Sequence, residues 1–370
     1  MNLLSYVKYF YIIMNEYTNL MLKEFSFHLP EDLIAKHPVY PADACRLMRL
    51  NKEEKSISNN IFYELADLLK PGDLLIANDT GVEARRIFLR RDNDGKREEG
   101  ARIEAVFLEK VSHEENENRW KVLIKKRKRL KNGEILQAEK NHNVKFEVIK
   151  DTDEKLYLKE PFEMKSNDFD KLGQMPIPPY MRREEDENDK RDYQNYFKKN
   201  YGSAAAPTAA LHFTDNLVKN LNKKQIQIDY LTLHIGYGTF APLKQENFQT
   251  GSLHEEYYHI PETLAKKLAA KQYNRIIAVG TTTLRALEHA HKITEGRYDD
   301  NLTGQTNIFI HPPEKIKSVD GLITNFHLPS SSLLLLTACI AEPDFLMKAY
   351  DKAIKENYRF YSYGDAMLIL

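Results

Sequence analysis

Short apolar runs alternate with helical spacings of apolar residues near the start of the chain and throughout its C-terminal half. The runs lie at 73–77, 228–234, 275–279 and 321–324, and each is bounded by glycine, proline or polar residues. Such runs are typical of buried strands. A helical pattern such as 284–291 follows in the same regions. Alternating strands and helices predict an α/β fold with a mixed or partly parallel sheet.

Residues from about 82 to 158 show a different pattern. Apolar and polar positions alternate in short runs at 102–108, 120–124 and 144–148, and polar turn clusters separate the runs. Alternation with a period of two is typical of half-buried strands. This part of the chain therefore predicts a small, mainly antiparallel β module, most simply a barrel.

The two patterns divide the chain. We expect a larger α/β domain made of residues 21–80 and 165–370, with a β-barrel-like domain of residues 81–164 inserted into it. Residues 1–20 are rich in aromatic side chains, but Lys8 interrupts their apolar stretch and no small-residue cleavage site follows, which argues against a signal peptide. We treat this stretch as a doubtful upstream leader and assign it no function.

Composition restricts the class of protein. The 370 residues contain 54 Lys and Arg against 54 Asp and Glu, which excludes a uniformly basic nucleic-acid binder. Two cysteines, Cys45 and Cys339, are too few for a disulfide framework or a four-thiolate zinc site, and they fit a reducing cytoplasm. The longest apolar run, 333–340, is too short to cross a bilayer. We therefore expect a cytoplasmic protein without membrane association.

The basic residues are unevenly distributed. Between Arg85 and Lys131 there are 16 Lys and Arg against 9 Asp and Glu, and the rest of the neutral chain carries the opposite excess. Segregated positive charge suits contact with a phosphate backbone. A solvated strand rim explains the same charge equally well. The densest part is Lys125, Lys126, Arg127, Lys128 and Arg129.

Polar clusters follow four of the predicted strands, at the residues where those strands end. In open α/β sheets, ligands bind at the carboxyl ends of the strands, because loops and helix N-termini converge there. Four such ends at one edge predict a functional site. The clusters are Asn78-Asp79-Thr80, His234 with Gly236 and Gly238, Gly280 to Arg285, and Asn325 with His327.

The cluster at Gly280 is the easiest of the four to interpret. A glycine and three threonines between a strand and a helix place backbone N–H groups beside hydroxyls, which suits a carboxylate or a phosphate. The alternative is that Thr281 or Thr282 caps the helix. Arg285, one turn into the helix, either pairs with an anion or belongs to a surface ion pair.

Histidines and aromatics elsewhere leave alternatives open. His254 and His259 resemble a zinc-protease pair, but His259 lies five positions after His254, whereas two ligands on one helix face lie four positions apart, so we reject a zinc site there. The segment 358–365 holds four aromatic residues in six positions, which either stack on a flat base or pack as a core strand. Three further histidines lie in apolar surroundings, where core packing is commoner than catalysis: His212, His234 and His327.

Nine motifs follow one another at a characteristic order and spacing from about Met21 to the C-terminus. They are Cys45–Leu47, Asn78–Thr80, Leu172–Tyr180, Asp192–Gln194, Ala206–Phe213, Thr232–Phe240, Gly280–Arg285, Leu322–Pro329 and Tyr358–Asp365. In this the chain resembles the S-adenosylmethionine:tRNA ribosyltransferase-isomerases of queuosine biosynthesis (the QueA family). Gly81, where a basic residue is usual, and Pro312-Pro313, in place of a Pro-Gly turn, depart from the family pattern.

The resemblance implies a two-domain fold, with a small β-barrel inserted into an α/β domain, and a specific reaction. The ribosyl part of S-adenosylmethionine is transferred to the aminomethyl group of a 7-deazaguanine at the tRNA wobble position. Isomerisation to an epoxycyclopentane then gives epoxyqueuosine, adenine and methionine. The sulfonium acidifies the C5′ hydrogens for a general base, and the attacking amine must be neutral. The flat base would be flipped out and stacked on an aromatic ring.

These requirements lead to hypotheses about individual residues. His234, His327 and Asp79 are the candidates for acid/base catalysis, and Lys125 to Arg129 are candidates for contact with tRNA. Gly280 to Thr283 with Arg285 would hold the methionine carboxylate or a tRNA phosphate. The other expected substrate contacts are Asn78, Thr80, His212, Gly236, Gly238, Thr281, Thr282, Asn325 and Asp365, with Phe360 or Tyr363 as the stacking face. We expect no metal ion and no cofactor, S-adenosylmethionine as a substrate, tRNA as the partner, and a monomer.

Two functions from other classes remain. A different S-adenosylmethionine-dependent tRNA enzyme, such as a methyltransferase, would normally show a Gly-x-Gly turn after an early strand, which we do not find. A non-catalytic RNA-binding protein would use the basic segment and the aromatic C-terminus. Such a protein would have little use for four polar strand ends, so we rank it last.

Overall fold

The computed structural model describes residues 17–91, 102–111, 118–124, 127–151, 155–236, 238, 242–298 and 302–370. The contacts within the chain form two compact units. The first unit consists of the residues up to Thr80 together with Asn195–Asn200 and Pro207–Leu370, and the second unit consists of Gly81–Gln194 and Tyr201–Ala206. Helix α1, at 17–24, includes the last four residues of the stretch that we treated as a leader, and Thr18 in this helix is buried.

Within the described ranges, the first unit contains nine strands and most of the helices. Its strands are β1 (Arg46–Asn51), β2 (Ser56–Ile61), β3 (Leu74–Asn78), β13 (Gln227–Leu233), β14 (Ser252–Ile260), β15 (Ile276–Val279), β16 (Leu302–Ile308), β17 (Gly321–Asn325) and β18 (Ala366–Ile369). Its helices after α1 are α2 (Leu65–Leu68), α5 (Asp215–Lys223), α6 (Gln245–Thr250), α7 (Glu262–Ala269), α8 (Thr281–Thr294), α9 (Ser332–Ala341) and α10 (Pro343–Lys355).

The nine strands form one mixed sheet, in the order β16-β14-β13-β3-β15-β17-β18-β1-β2. The central neighbours β13, β3, β15 and β17 are parallel, whereas β14 and β18 join this group in antiparallel pairings. All five residues of β3 are buried, as expected for a strand covered on both faces. The predicted mixed α/β fold is confirmed.

The second unit contains the predicted barrel. Its elements are β5 (Arg86–Arg91), β6 (Ile103–Val111), β7 (Arg119–Ile124), β8 (Ile135–Ala138), β9 (Asn141–Lys150), β10 (Leu156–Lys159), α3 (Ser166–Leu172), β11 (Gly173–Gln174) and α4 (Asp189–Asp192). Two short strands, β4 (Thr80–Val82) and β12 (Asn200–Ser203), each have their first residue in the first unit and the others in the second. The order β5-β6-β7-β10-β9-β8 closes because β8 also pairs with β5, so six antiparallel strands form a barrel. Its alternate residues, including Phe107 and Phe146, fill the interior.

Residues 165–194, and the short stretch 201–206, differ from the division that the sequence suggested. We expected them in the larger domain, but they belong to the second unit. The reason is packing: Phe169 and Leu172 of α3 lie in the apolar core of the barrel, and Trp120 meets the Phe169 ring edge-on at 5.1 Å. The polar surface of this segment gave no sign of its buried aromatic face. None of the helices in the described part of the chain combines the length and apolarity needed to cross a membrane.

Candidate active site at the carboxyl edge of the sheet

The four predicted polar clusters follow the four parallel strands of the first unit. Because β13, β3, β15 and β17 are parallel neighbours, their carboxyl ends lie side by side at one edge of the sheet. His234, Asp79, Gly280 and Phe326 are the residues that directly follow these strands. The structure thus brings together the clusters that the sequence placed far apart.

Asn78, the last residue of β3, joins three elements at this edge. Its side chain is fully buried. Nδ2 donates to the C=O of Leu233 at 2.9 Å and to Oγ1 of Thr282 at 3.3 Å. Oδ1 accepts from the N–H groups of Leu233 at 3.0 Å and Thr80 at 3.1 Å. Asn78 therefore fixes the ends of β3 and β13 relative to the start of α8.

Asp79 is held by side chains of the first unit. Its Oδ1 accepts from Thr232 Oγ1 at 2.6 Å, and Asn200 Nδ2 lies 3.2 and 3.1 Å from the two carboxylate oxygens. Asn200 Nδ2 also donates to Thr232 Oγ1 at 2.9 Å. The carboxylate is buried and hydrogen-bonded, which is the arrangement of a group that positions its neighbours.

His234 is the partly exposed histidine of the edge. Its Nδ1 lies 2.9 Å from Oγ1 of Thr80, and its backbone N–H donates to the backbone C=O of Tyr257 at 2.9 Å. The imidazole stacks on the ring of Tyr257, with 5.7 Å between centroids and 21° between planes. Since Tyr257 is 42% exposed, this pair offers an aromatic surface at the edge of the sheet. The contact of Nδ1 with the Thr80 hydroxyl and the stacking on Tyr257 together fix the orientation of the imidazole.

The structure shows which residue caps the N-terminus of α8. Gly280 is the N-cap, at φ 91°, a conformation that favours glycine, and no side chain caps the helix. Thr281 and Thr282 are the first two helical residues, so neither is the cap. Thr283 Oγ1 donates back to the C=O of Val279 at 2.8 Å. The hydroxyl of Thr282 instead contacts Asn78 and so belongs to the network described above.

Arg285 forms an ion pair, but the pair is buried rather than at the surface. Arg285 is 4% exposed and its Nη1 donates to Oε2 of Glu256 on β14. The other carboxylate oxygen, Oε1, accepts from the N–H of Gly236 at 3.1 Å. Nε and Nη2 of Arg285 have no hydrogen-bond partner among the described residues. Both nitrogens are buried donors that lack an acceptor in this part of the structure.

Two glycines shape the same region. Gly236 supplies the N–H that Glu256 accepts, and Gly238 lies against His254. A Cβ at position 238 would be 2.1 Å from Cδ2 of His254, so a side chain there would displace that ring. Both glycines act through the backbone and through lack of bulk.

His212 and Asn325 are part of a buried network. Asn325 Nδ2 donates to Nε2 of His212 at 3.0 Å, and Nδ1 of His212 lies 3.2 Å from Sγ of Cys45. Asn325 Oδ1 accepts from Oγ1 of Thr208 at 2.9 Å. Burial lowers the pKa of His212 to about 3, with a smaller contribution from the charge of Arg359. His212 is therefore neutral near pH 7.

His327 is also a buried, neutral residue. Its Nε2 lies 2.8 Å from Oγ1 of Thr324, and its backbone N–H donates to the hydroxyl of Tyr350 at 2.8 Å. Burial lowers its pKa to about 3. A histidine with so low a pKa is a weak base near neutral pH, so its geometry fits a structural role better than proton transfer.

Acidification should destabilise the protein through these two histidines. In the unfolded chain each takes up a proton below about pH 6.5, whereas in the folded chain each does so only near pH 3. Stability is therefore complete above pH 6.5 and falls as the pH drops, by up to about 1.4 kcal/mol per pH unit for each histidine. Urea unfolding at about pH 7.5 and about pH 5 measures this loss. The variant His327→Gln should lose less stability than the wild type, and equal losses would contradict the assignment.

The C-terminal candidates lie in the core. Phe360 is fully buried and packs against the rings of Phe326 and Tyr350, with centroids 5.1 and 6.0 Å away, and Tyr363 is also buried. Asp365 accepts from the N–H groups of Arg46 and Arg359 at 3.0 and 2.7 Å. Of the two interpretations, base stacking and core packing, the burial of Phe360 and Tyr363 fits core packing. Neither offers an exposed face for a flat base.

The predicted tRNA contacts are only partly described. Lys125, Lys126 and the side chain of Arg127 lie outside the described residues, whereas Lys128 and Arg129 are exposed on a single 3₁₀ turn. Elsewhere in the basic segment, Arg90 and Arg91 pair with Glu139 and Glu134 at 2.7 and 2.6 Å. Contact between this surface and tRNA stays a prediction.

Two features of the sequence have simple structural outcomes. A Cβ at Gly81 would lie 2.8 Å from Cδ1 of Tyr201, so the Tyr201 ring takes the space beside this glycine. His259 Nδ1 contacts Thr303 Oγ1 at 2.9 Å. Among the described residues, no three His, Cys, Asp or Glu side chains are grouped as metal ligands would be.

Sequence reasoning missed two residues of this edge, Glu256 and Tyr257. Both lie in the segment that we considered only as a zinc motif. The available signal was the alternation along β14, where Glu256 and Tyr258 are buried and Glu255 and Tyr257 are exposed. A buried glutamate in that pattern requires a cationic partner, which is Arg285.

Comparison with known proteins gives a consistent result. Residues 22–369 match the family model described as queuosine biosynthesis protein. S-adenosylmethionine:tRNA ribosyltransferase-isomerases from Sulfurihydrogenibium sp. (strain YO3AOP1) and Aquifex aeolicus are 44% and 40% identical to the chain, over 94% of its length and 99% of theirs.

Among solved structures, the S-adenosylmethionine tRNA ribosyltransferase of Thermotoga maritima matches with a TM-score of 0.53 and 34% identity. The match covers 94% of this chain and 100% of that one. The family model alone spans nearly the whole sequence. The chain therefore belongs to the queuosine biosynthesis protein family.

Proposed function

We propose that the chain is an S-adenosylmethionine:tRNA ribosyltransferase-isomerase. It transfers and isomerises the ribosyl group of S-adenosylmethionine onto 7-aminomethyl-7-deazaguanine at the tRNA wobble position, and it releases adenine and methionine. The observation that carries the proposal is the grouping of the family's polar motifs at one carboxyl edge of the sheet, in a chain whose relatives bear this name.

His234 is the acid/base residue of the proposal. It is partly exposed, and the contact between its Nδ1 and Oγ1 of Thr80 holds the imidazole in a defined orientation at the edge of the sheet. The two steps that need such a group are removal of a C5′ proton next to the sulfonium and protonation of the leaving adenine. Asp79 acts as a positioning residue, because its carboxylate holds Thr232 and Asn200.

Tyr257 replaces Phe360 and Tyr363 as the stacking residue of the proposal. A flipped 7-deazaguanine needs a flat apolar face, and base–aromatic stacking contributes about 1–3 kcal/mol. The 42% exposed ring of Tyr257 lies beside His234, whereas the two C-terminal rings are buried. Placing the base there would bring its aminomethyl group close to the acid/base residue.

S-adenosylmethionine enters the proposal as a substrate, with tRNA as the partner macromolecule. The exposed Lys128 and Arg129 are the described members of the proposed tRNA surface. A cofactor-independent reaction, a monomeric state and a cytoplasmic location complete the proposal.

The direct test is product analysis. The purified chain is incubated with S-adenosylmethionine and tRNA carrying 7-aminomethyl-7-deazaguanine, and the digested nucleosides are weighed by mass spectrometry. Release of one adenine per epoxyqueuosine formed is the expected result. A methylated nucleoside would identify a methyltransferase, and tRNA that binds without change would identify a non-catalytic binder.

A further inference from the structure

Arg285 lies in the wall of a cavity of about 270 Å³ in the first unit. This volume is close to that of small-ligand pockets. The cavity adjoins the candidate active site, because Glu256, which also lines it, accepts from the N–H of Gly236 two residues after His234. The first residues of α9, Ser332 and Leu333, form another part of its wall.

The side chain of Arg285 is incompletely paired inside this wall. It is 4% exposed, and Nη1 alone is engaged with Glu256, while Nε and Nη2 lack partners among the described residues. A buried guanidinium group without partners for two of its nitrogens is costly unless a ligand supplies acceptors. Nε and Nη2 lie along one edge of the planar guanidinium group, so a carboxylate that reaches this edge can bind them with both of its oxygens.

The charges around the cavity favour one kind of anion. Lys244 and Arg285 line it together with Glu246 and Glu256, so both signs are present. Two carboxylates repel a phosphodiester backbone, whereas an amino acid with separate carboxylate and ammonium groups matches such a wall. Leu333 adds an apolar surface against which methylene groups can pack.

We propose that this cavity binds the amino-acid part of S-adenosylmethionine, with the α-carboxylate held by Nε and Nη2 of Arg285. The inference rests on the proposed function and assigns one end of its substrate. The first residues of α9, Ser332 and Leu333, line the cavity, so the positive end of this helix dipole favours the same negative charge. Glu256 positions the guanidinium, and the same site would hold methionine until it leaves.

The test compares S-adenosylmethionine with its decarboxylated analogue, which lacks only the carboxylate. For the wild type, kcat/KM for adenine release should fall about 100-fold with the analogue, since two charge-assisted hydrogen bonds are lost. In Arg285→Gln the two substrates should differ less than about 3-fold. Equal discrimination in variant and wild type would overturn the proposal, and so would a wild type that does not discriminate.

Two further variants guard against misfolding. Arg285→Gln leaves Glu256 buried and unpaired, so the double variant Glu256→Gln with Arg285→Met removes both charges at once. It should also lose discrimination. Arg297→Gln is the matched control, because this arginine forms an exposed ion pair with Glu295 beyond the end of α8. It should discriminate as the wild type does.

A phosphate site gives a different pattern. If Arg285 contacted tRNA, its variants would raise the KM for tRNA, reduce its salt dependence and leave the preference for the carboxylate intact, which would overturn the proposal. Calorimetric binding of L-methionine and L-methioninol separates this inference from the proposed function. A chain that releases no adenine but binds methionine through Arg285 would refute the function alone.

Discussion

Replacing His234 by alanine is expected to lower the rate of adenine release by about 10²–10⁴-fold, the usual contribution of a general acid or base. The folded structure should survive, because the His234 side chain is only partly buried and the Tyr257 ring that stacks on it is exposed. The measurement is single-turnover adenine release at saturating tRNA, together with the melting temperature.

His259 provides the matched control for this prediction. Its Nδ1 contacts Thr303 Oγ1 at the same 2.9 Å that separates His234 from Thr80, but on the outer strands β14 and β16. His259→Ala should keep normal turnover. Thr80→Val, which removes the hydroxyl from Nδ1, should slow the reaction less than His234→Ala does. Near-normal turnover in His234→Ala would remove this histidine from the mechanism.

The place of the site was predictable because it follows from the order of the chain. A buried strand that ends at Asn78, or at Val279 just before Gly280, and passes into a helix or turn has its carboxyl end defined by local sequence alone. Parallel pairing then brings those ends to one edge. The barrel was predictable for a related reason, because the period-two alternation of its strands is also a property of the local sequence.

The roles of individual residues were less predictable, because they depend on burial and on partners distant in sequence. Nothing local distinguishes His327, whose pKa burial lowers to about 3, from His234, which is partly exposed. Arg285 finds Glu256 29 residues earlier, across the α8–β14 contact. Phe360 looked like a stacking residue in the sequence only because its neighbours in the core are far along the chain.

The second large effect that we expect is on stability. The last residue pair between β3 and β13 is Asn78 with Leu231, so Leu233 lies beyond the paired part of β13. Its backbone N–H and C=O are hydrogen-bonded to the side chain of Asn78 instead. Asn78→Ala removes both of these partners. Each unsatisfied buried group costs about 1–3 kcal/mol, so with two such groups the free energy of unfolding should fall by about 2–6 kcal/mol. Urea unfolding measures the loss.

Asn220→Ala, an exposed change on α5, should alter stability by less than about 0.5 kcal/mol. Turnover of Asn78→Ala at low temperature should also fall, because Asn78 holds Thr80 and Thr282 near the reacting edge. His234→Ala and Asn78→Ala thus distinguish a residue that acts in the reaction from one that holds the structure at the same edge of the sheet. His234→Ala should lose rate and keep stability, whereas Asn78→Ala should lose both. An Asn78→Ala protein as stable as the wild type would mean that Leu233 finds other partners and that the edge is not built around Asn78.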